Sequence, residues 1–337
     1  MTGIVFGSLF MVSAVVAGIV RLPYDSIGPG STRVVNDLVV VRGHETFPPK
    51  GEILYATVSV RERVNGYEAL VGWLDPDTDV VPEEDVRGTI PPDRYRQLNV
   101  EAMNDSKTTA EVLALTHLGF TDLGAGAEVD SVAPGSPAAA AGLEDKDVIV
   151  AIDDTPVSTA GDVVNAIRAH QPEDRIRLGV SRGEEPPLNL EATLTRAEDG
   201  RPLLGVRLST KVELPFEITI DSGSVVGPSA GLAYALELLD TLTAGELTGG
   251  MKVAATGELL PNGEVGPIGG VEQKVVTVKR AGAKLFLVPK ANEAEARARA
   301  GNGLQVRGVA SFEEALSVLG TMQGSNALAL GVPAPGT

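Results

Sequence analysis

Five residues, Gly227-Pro228-Ser229-Ala230-Gly231, stand directly before Leu232-Ala233-Tyr234-Ala235-Leu236-Glu237-Leu238-Leu239. The second stretch is a run of good helix formers with apolar residues at three- and four-residue spacing. Proline suits the first turn of a helix, where its missing N–H costs nothing and its φ is already helical. The chain must therefore turn from a loop straight into an apolar helix, with Ser229 in the first turn. Unpaired backbone N–H groups and the positive end of the helix dipole lie beside that position. Such donors can hold the oxyanion of a tetrahedral intermediate, as acyl transfer requires. Gly223 and Gly227 leave room for another backbone to approach. The plainer alternative is a serine that only caps a buried helix.

A lysine 45 positions later supplies the second constraint. On a helical wheel of residues 271–281, Val271, Val275, Val278 and Ala281 share one arc. Glu272, Gln273, Thr277, Lys279 and Arg280 fall on the opposite one, yet Lys274 lies inside the apolar arc. Desolvation there disfavours the ammonium and lowers its pKa. A neutral lysine can take the proton of a serine hydroxyl; the alternative is a lysine that snorkels to the helix edge. The histidines, His44, His117 and His170, all precede Ser229 by more than fifty residues. A Ser-His-Asp triad would have to import one from another domain, so lysine is the better candidate base.

Residues 205–320 resemble the proteolytic domain of the Lon family of serine–lysine peptidases. The resemblance rests on Gly227-Pro228-Ser229-Ala230-Gly231, Thr256-Gly257-Glu258, Gly263-Glu264-Val265-Gly266-Pro267-Ile268-Gly269-Gly270-Val271 and Lys274. Leu285-Phe286-Leu287-Val288-Pro289 and Asn292 continue it in order. The resemblance implies Ser229 as nucleophile, Lys274 as general base and Thr256 as support for that lysine. Backbone N–H groups around Val226, Gly227 and Ser229 would hold the oxyanion. One departure stands out: ATP-driven members of the family usually carry an aspartate where this chain has Val226. The chain also has no Gly-x-x-x-x-Gly-Lys-[Ser/Thr], and Gly245 to Lys252 lacks the spacing and the hydroxyl residue. No HExxH motif is present either. The expectation is catalysis without ATP, metal or other cofactor.

Residues 118–198 resemble a bacterial PDZ domain of the type attached to envelope proteases, through Leu118-Gly119-Phe120, Val129-Asp130-Ser131-Val132, Gly135-Ser136-Pro137-Ala138, Ala141-Gly142-Leu143 and Asp147 to Asp153. A helix from Ser158 to Ala169 follows, with Val163, Val164 and Ile167 as an apolar stripe facing a groove. A PDZ domain takes an extended peptide onto a sheet edge and often grips its carboxylate with backbone N–H groups. Leu118, Gly119 and Phe120 are the candidate loop for that grip. A PDZ fold that only packs and binds nothing remains the alternative.

At 337 residues there is length for two or three domains, and 43% hydrophobic residues exclude a disordered protein. The net charge of −17 argues against nucleic acid or an anionic membrane surface as the main partner. Without cysteine there is no disulfide, thiolate metal site or cysteine nucleophile. Residues 2–20 carry no charge and are mostly apolar, about as long as a bilayer-spanning helix. A signal peptide cut near Val15-Val16-Ala17 is the alternative. No Lys or Arg precedes the run and Arg21 follows it, which is silent or adverse for an outward-facing body.

The expected layout is a transmembrane or signal-anchor helix over 1–22, then a β-containing region and linking helix over 23–117. A mainly-β PDZ domain over 118–200 follows, then an α/β (α+β) proteolytic domain over 201–323 and a loose tail over 324–337. Parts of 23–100, such as Thr57-Val58-Ser59-Val60, resemble the start of membrane-anchored, PDZ-containing Lon-like proteases of bacteria. The expected protein is a membrane-anchored serine–lysine endopeptidase acting outside the cytoplasm on proteins or peptides, with self-association left open and no nucleic-acid partner. The competing expectations are a PDZ adaptor with a silenced peptidase fold and a peptidase of the signal-peptidase kind. Against the latter stand the contexts of Ser229 and Lys274.

Overall fold

The computed structural model describes residues 17–121, 123–183, 185–197 and 200–327. In chain order the principal elements are β1 (Tyr24–Val34), β2 (Glu52–Arg61), α1 (Gly66–Leu74), β3 (Asp79–Pro82) and α2 (Pro92–His117). Next come β4 (Gly124–Val132), β5 (Val148–Ile152), α3 (Ala160–Arg168), β6 (Arg175–Ser181), β7 (Leu188–Thr193) and β8 (Val206–Val212). The last group is α4 (Gly231–Leu242), β9 (Lys252–Ala255), α5 (Val271–Arg280), β10 (Leu285–Pro289), α6 (Glu293–Ala300), β11 (Gln305–Val309) and α7 (Phe312–Gly320). They form two compact units: residues up to 119 together with those from 218 onward, and residues 120–217.

The first unit is a mixed α/β fold around one sheet, ordered β11-β10-β9-β2-β1-β3. β11, β10, β9 and β2 run parallel, while β1 and β3 are antiparallel to their neighbours. β10, Leu-Phe-Leu-Val-Pro, is buried at every position, as a central parallel strand covered on both faces must be. Alternate residues of β2 serve opposite faces. Leu54 and Ala56 pack with Val271, Val275 and Val278 of α5, whereas the Tyr55 ring meets Tyr234 of α4 edge-on at 5.7 Å. α2 lies against α4.

Residues 23–117 are thus not a region of their own. β9 has only four residues, and its ladder is completed by β2, with Lys252, Val253 and Ala254 opposite Glu52, Ile53 and Leu54. The expected boundary at 201 moves for a similar reason. β8 is hydrogen-bonded along β4, Leu204 joins the core of the second unit, and Thr195–Arg196 pairs with Pro202–Leu203 across the expected boundary. Nor is the stretch after Gly324 wholly loose. The Asn326 N–H donates to Glu246 O at 3.1 Å, and the Ser325 hydroxyl to Leu247 O at 2.7 Å.

The second unit is an antiparallel sheet, β8-β4-β5-β6-β7, with α3 across it. Its core is built from Val129, Ile149, Ile152, Val163, Ile167, Ile176, Leu178 and Leu194. Thr159 caps α3 by accepting from the Asp162 N–H, and the Asp162 carboxylate returns the bond to the Thr159 N–H.

Among the described residues no helix is long and apolar enough to cross a membrane. The spanning helix expected over 1–22 falls almost wholly on residues 1–16, outside those described.

Candidate active site

Ser229 and Lys274 meet over the carboxyl end of β9. Lys274 Nζ lies 3.0 Å from Ser229 Oγ and, at a longer 3.5 Å, from Thr256 Oγ1. Thr256 directly follows β9, is wholly buried, and donates its hydroxyl proton to Ser229 O at 3.0 Å. Thr256 therefore fixes both partners at once, one through the serine main chain and one through the lysine amine. Lys274 is buried, and desolvation alone lowers its pKa to about 8. Above that pH the amine is largely neutral and can accept the Ser229 proton. In the ammonium form Lys274 donates to Ser229 Oγ; once neutral, it offers the lone pair and the direction reverses.

The helix starts later than the sequence pattern predicts. α4 begins at Gly231 with Ala230 as its cap, so Ser229 sits in the turn before the helix and not in its first turn. The cause is tertiary. Ser229 O accepts from the Gly257 N–H at 2.8 Å and from Thr256, so it cannot start the helical ladder. The ladder opens instead with Tyr234 N–H donating to Ala230 O. Gly231 is needed for closeness: a Cβ there would stand 2.5 Å from Ser106 Oγ and 3.0 Å from Leu259 Cβ. The N–H groups of Val226, Ser229 and Ala230 have no acceptor among the described residues. Gly227 differs from expectation, because its N–H donates to Asn99 O at 2.9 Å. In this conformation it is not free for an oxyanion.

Asn99 and Ser106 were missed from the sequence. Both lie on α2, over a hundred residues before the serine, and Ser106 donates its hydroxyl to Pro228 O at 2.9 Å. Together they hold the Gly227 N–H and the Pro228 carbonyl, the peptide groups that flank Gly227-Pro228 ahead of Ser229. No local signal marks them; only the packing of α2 on α4 brings them in. Asn292 ties down the loop before α5, its amide accepting from Ile268 N–H at 3.0 Å and donating to Ile268 O at 3.1 Å. Two residues expected on the polar arc of α5 are buried instead. Gln273 donates to Asp79 at 2.7 Å and Thr277 to Gln273 O at 2.9 Å, which satisfies them between α5 and its neighbours.

The dyad opens into a cleft of about 420 Å³, bordered by Val58 and Val60 of β2, Tyr95 and Met103 of α2, and Val225 and Val226. Val60 and Val226 are exposed apolar side chains in that wall. Val226 adds apolar surface beside the serine loop. Among the described residues no cluster of His, Asp and Glu could hold a metal ion.

The loop expected to grip a carboxylate, Leu118, Gly119 and Phe120, directly follows α2. The Leu118 N–H donates to Ala114 O at 3.1 Å and the Gly119 N–H to Thr116 O at 3.0 Å, closing the end of α2. Leu118 is buried, and the Phe120 ring packs edge-on against Phe216. Two of the three amides are therefore already used. β8 is one of the sheet's two edge strands. Ala133 N–H donates to Gly205 O at 2.9 Å, and Val206 faces Val132. Alternation of antiparallel pairs then turns the Val206 N–H and C=O away from β4, toward the free edge. Before it, Gly205 takes φ +83, a conformation that favours glycine. α3 flanks this edge, with Ala160 N–H donating to Thr210 Oγ1 at 3.1 Å and Val164 exposed. The signal was Leu204-Gly205-Val206 ahead of an alternating strand, hidden by its position beyond the expected boundary at 200.

Residues 116–194 match the family model of the PDZ domain, and residues 211–319 match that of the Lon protease (S16) C-terminal proteolytic domain. The chain thus carries a PDZ domain and a Lon-type proteolytic domain. A Lon protease of Roseiflexus castenholzii is 32% identical over 159 residues, 46% of this chain and 19% of that protein. Lon protease 2 of Thermus thermophilus is 36% identical over 104 residues, 30% of this chain and 13% of that one. The chain spans less than a fifth of the length of these relatives. Among solved structures, the PDZ domain of the SdrC-like protein from Listeria monocytogenes is 25% identical, covering 25% of this chain and 86% of that one with a TM-score of 0.23.

Proposed function

We propose that the protein is a serine endopeptidase that cleaves peptide bonds with a Ser229–Lys274 dyad and needs no ATP. The observation that carries this is the 3.0 Å approach of a buried lysine, its pKa lowered to about 8, to a serine at the mouth of a cleft. Ser229 Oγ attacks the scissile carbonyl while Lys274 takes its proton. The N–H groups of Ser229 and Ala230, at the head of α4, receive the oxyanion. Lys274 returns the proton to the leaving amine, and water then repeats the sequence on the acyl-enzyme. The apolar cleft wall favours substrates with apolar side chains beside the scissile bond. Labelling with a fluorophosphonate tests the assignment. The wild type should react and Ser229→Ala should not; an unreactive wild type would favour the adaptor reading, which the bond from Gly227 N–H to Asn99 O supports. Activity should rise about tenfold per pH unit below about 8 and level off above it, as the neutral amine accumulates.

The second unit is proposed to receive extended peptides along β8, beside α3, with a terminal carboxylate at the amides around Gly205 and Val206. Amidating a bound peptide's C-terminus should weaken its binding; equal binding would remove that contact. The uncharged run 2–20 supports anchoring in a membrane, and the resemblance of the second unit to PDZ domains attached to envelope proteases supports a body outside the cytoplasm. Protease added to cells with a permeabilised wall should then degrade the body, and complete protection would refute the placement.

A further inference from the structure

Helix α1 wears its apolar side chains on the outside. Its small residues Ala69 and Gly72 are buried, and a Cβ on Gly72 would stand 2.5 Å from the Val80 side chain. Tyr67, Leu70, Val71 and Leu74 form one stripe at helical spacing with Trp73 beside it, and all five are exposed, Trp73 by 63% and Leu74 by 76%. Glu68 is the helix's one charged residue, and it is already engaged. It closes a capping box with Asn65 and pairs with Arg21 at 2.8 Å. A contiguous exposed patch of this kind marks an interaction surface.

The chain itself indicates what covers it. The described residues begin at Ala17, against the first turn of α1: a Cβ on Gly66 would lie 3.2 Å from Ala17 Cβ, and one on Gly18 would lie 3.2 Å from the Tyr67 ring. Ile19 and Val20, next in the chain, are exposed and extend the patch. The residues before them, 2–16, carry no charge. The uncharged run therefore joins the molecule at the apolar stripe. Tryptophan and tyrosine, moreover, are the side chains enriched at membrane–water boundaries.

We propose that α1 lies in the interface of a lipid bilayer, with Tyr67, Leu70, Trp73 and Leu74 at the level where headgroups meet acyl chains. The proposal rests on the membrane placement argued above, and it adds a second contact that fixes how the first unit stands on the surface. Its driving force is apolar burial, since the helix offers no basic face and the chain carries a net charge of −17.

Trp73 is the only tryptophan in the chain and reports on its own surroundings. The full chain is reconstituted into phosphatidylcholine vesicles, recovered by flotation, and its fluorescence is quenched with acyl-brominated lipids or with aqueous acrylamide. The expected result is quenching that is strongest for bromines nearest the headgroups, with acrylamide quenching reduced severalfold. Leu70→Glu with Leu74→Glu should restore acrylamide quenching while leaving the thermal unfolding midpoint and peptide hydrolysis unchanged. Vesicles that float with Trp73 fully open to acrylamide would overturn the interfacial helix and leave the anchor standing. A chain that does not float overturns both. Trp73 shielded from both quenchers would assign the patch to a second copy or to residues 2–16, and would overturn the proposal as well.

Discussion

Helix α4 is buried at every one of its twelve residues, whereas α1, nearly as apolar, buries only Ala69 and Gly72. The difference lies in what the fold sets against each. α4 is enclosed by the sheet and by α2, and even its polar residues are drawn inside. Burial pushes the Glu237 carboxyl up to about 7, although Asn36 and Thr241 both donate to it. Asp240 is likewise raised to about 7 by burial, with Oδ1 accepting from Leu247 N–H and Oδ2 without a partner among the described residues. α1 shows the reverse arrangement: small residues inward and large apolar ones outward. Apolar spacing announces that a helix face will be covered, and is silent on whether chain, second protein or lipid will cover it.

Substitutions can sharpen or break the contrast. The largest effect belongs at the head of the enclosed helix. Ser229→Ala should lower kcat/KM by roughly ten-thousandfold or more, and Lys274→Arg by nearly as much because a guanidinium keeps its proton. No substitution on α1 should approach that loss, and an α1 variant that did would place it in the catalytic machinery. Leu236→Ala should then destabilise the fold by about 2–5 kcal/mol in denaturant melts, against changes within about 0.5 kcal/mol for Leu70→Ala without lipid. Equal losses at the two sites would mean that α1 is covered by protein.

Lys274→Met should stabilise the fold by about 3 kcal/mol at pH 7 while abolishing hydrolysis. The sign follows from the lowered pKa. Below pH 8 the lysine is charged in both the folded and unfolded states, so the full cost of burying an ammonium stands. Between about 8 and 10.5 the folded state gives up its proton first and the cost fades. Melts at pH 7 and pH 10.5 should therefore show the advantage of methionine shrinking; a constant advantage would mean that packing and not charge is responsible. Smallest is Ser106→Ala, expected to cost about 1 kcal/mol for the lost bond to Pro228 O and to lower kcat severalfold with KM little changed. A change in KM alone would make Ser106 a substrate contact.

What could be read in advance was local. A proline and serine before a helical run and a lysine on an apolar arc point to Ser229 and Lys274 from spacing alone, and the folded chain brings them within 3.0 Å. Most of the parts that escaped are set by distant partners, the helix-end bonds of Leu118 and Gly119 being the local exception. Thr256 and Gly257 delay the start of α4 by claiming the Ser229 carbonyl. Asn99 and Ser106 reach the serine loop from a helix far upstream. The amides of Leu118 and Gly119 are consumed by the end of α2, and β8 continues its sheet past the expected boundary at 200 by pairing with β4. Hydrogen bonds between residues far apart in sequence leave no periodicity to detect.

The pairing of β2 with β9 also governs the order of events on the ribosome. Glu52 is synthesised some 200 residues before Lys252, its neighbour across the sheet, and the whole of residues 120–217 emerges in between. Contacts that wait for such separations form late and slowly. The inserted unit has all its strands once residue 212 is made, when neither Ser229 nor Lys274 yet exists. A nascent chain therefore has the whole sheet of the second unit before it has either member of the proposed dyad, whose meeting is among the last things translation makes possible.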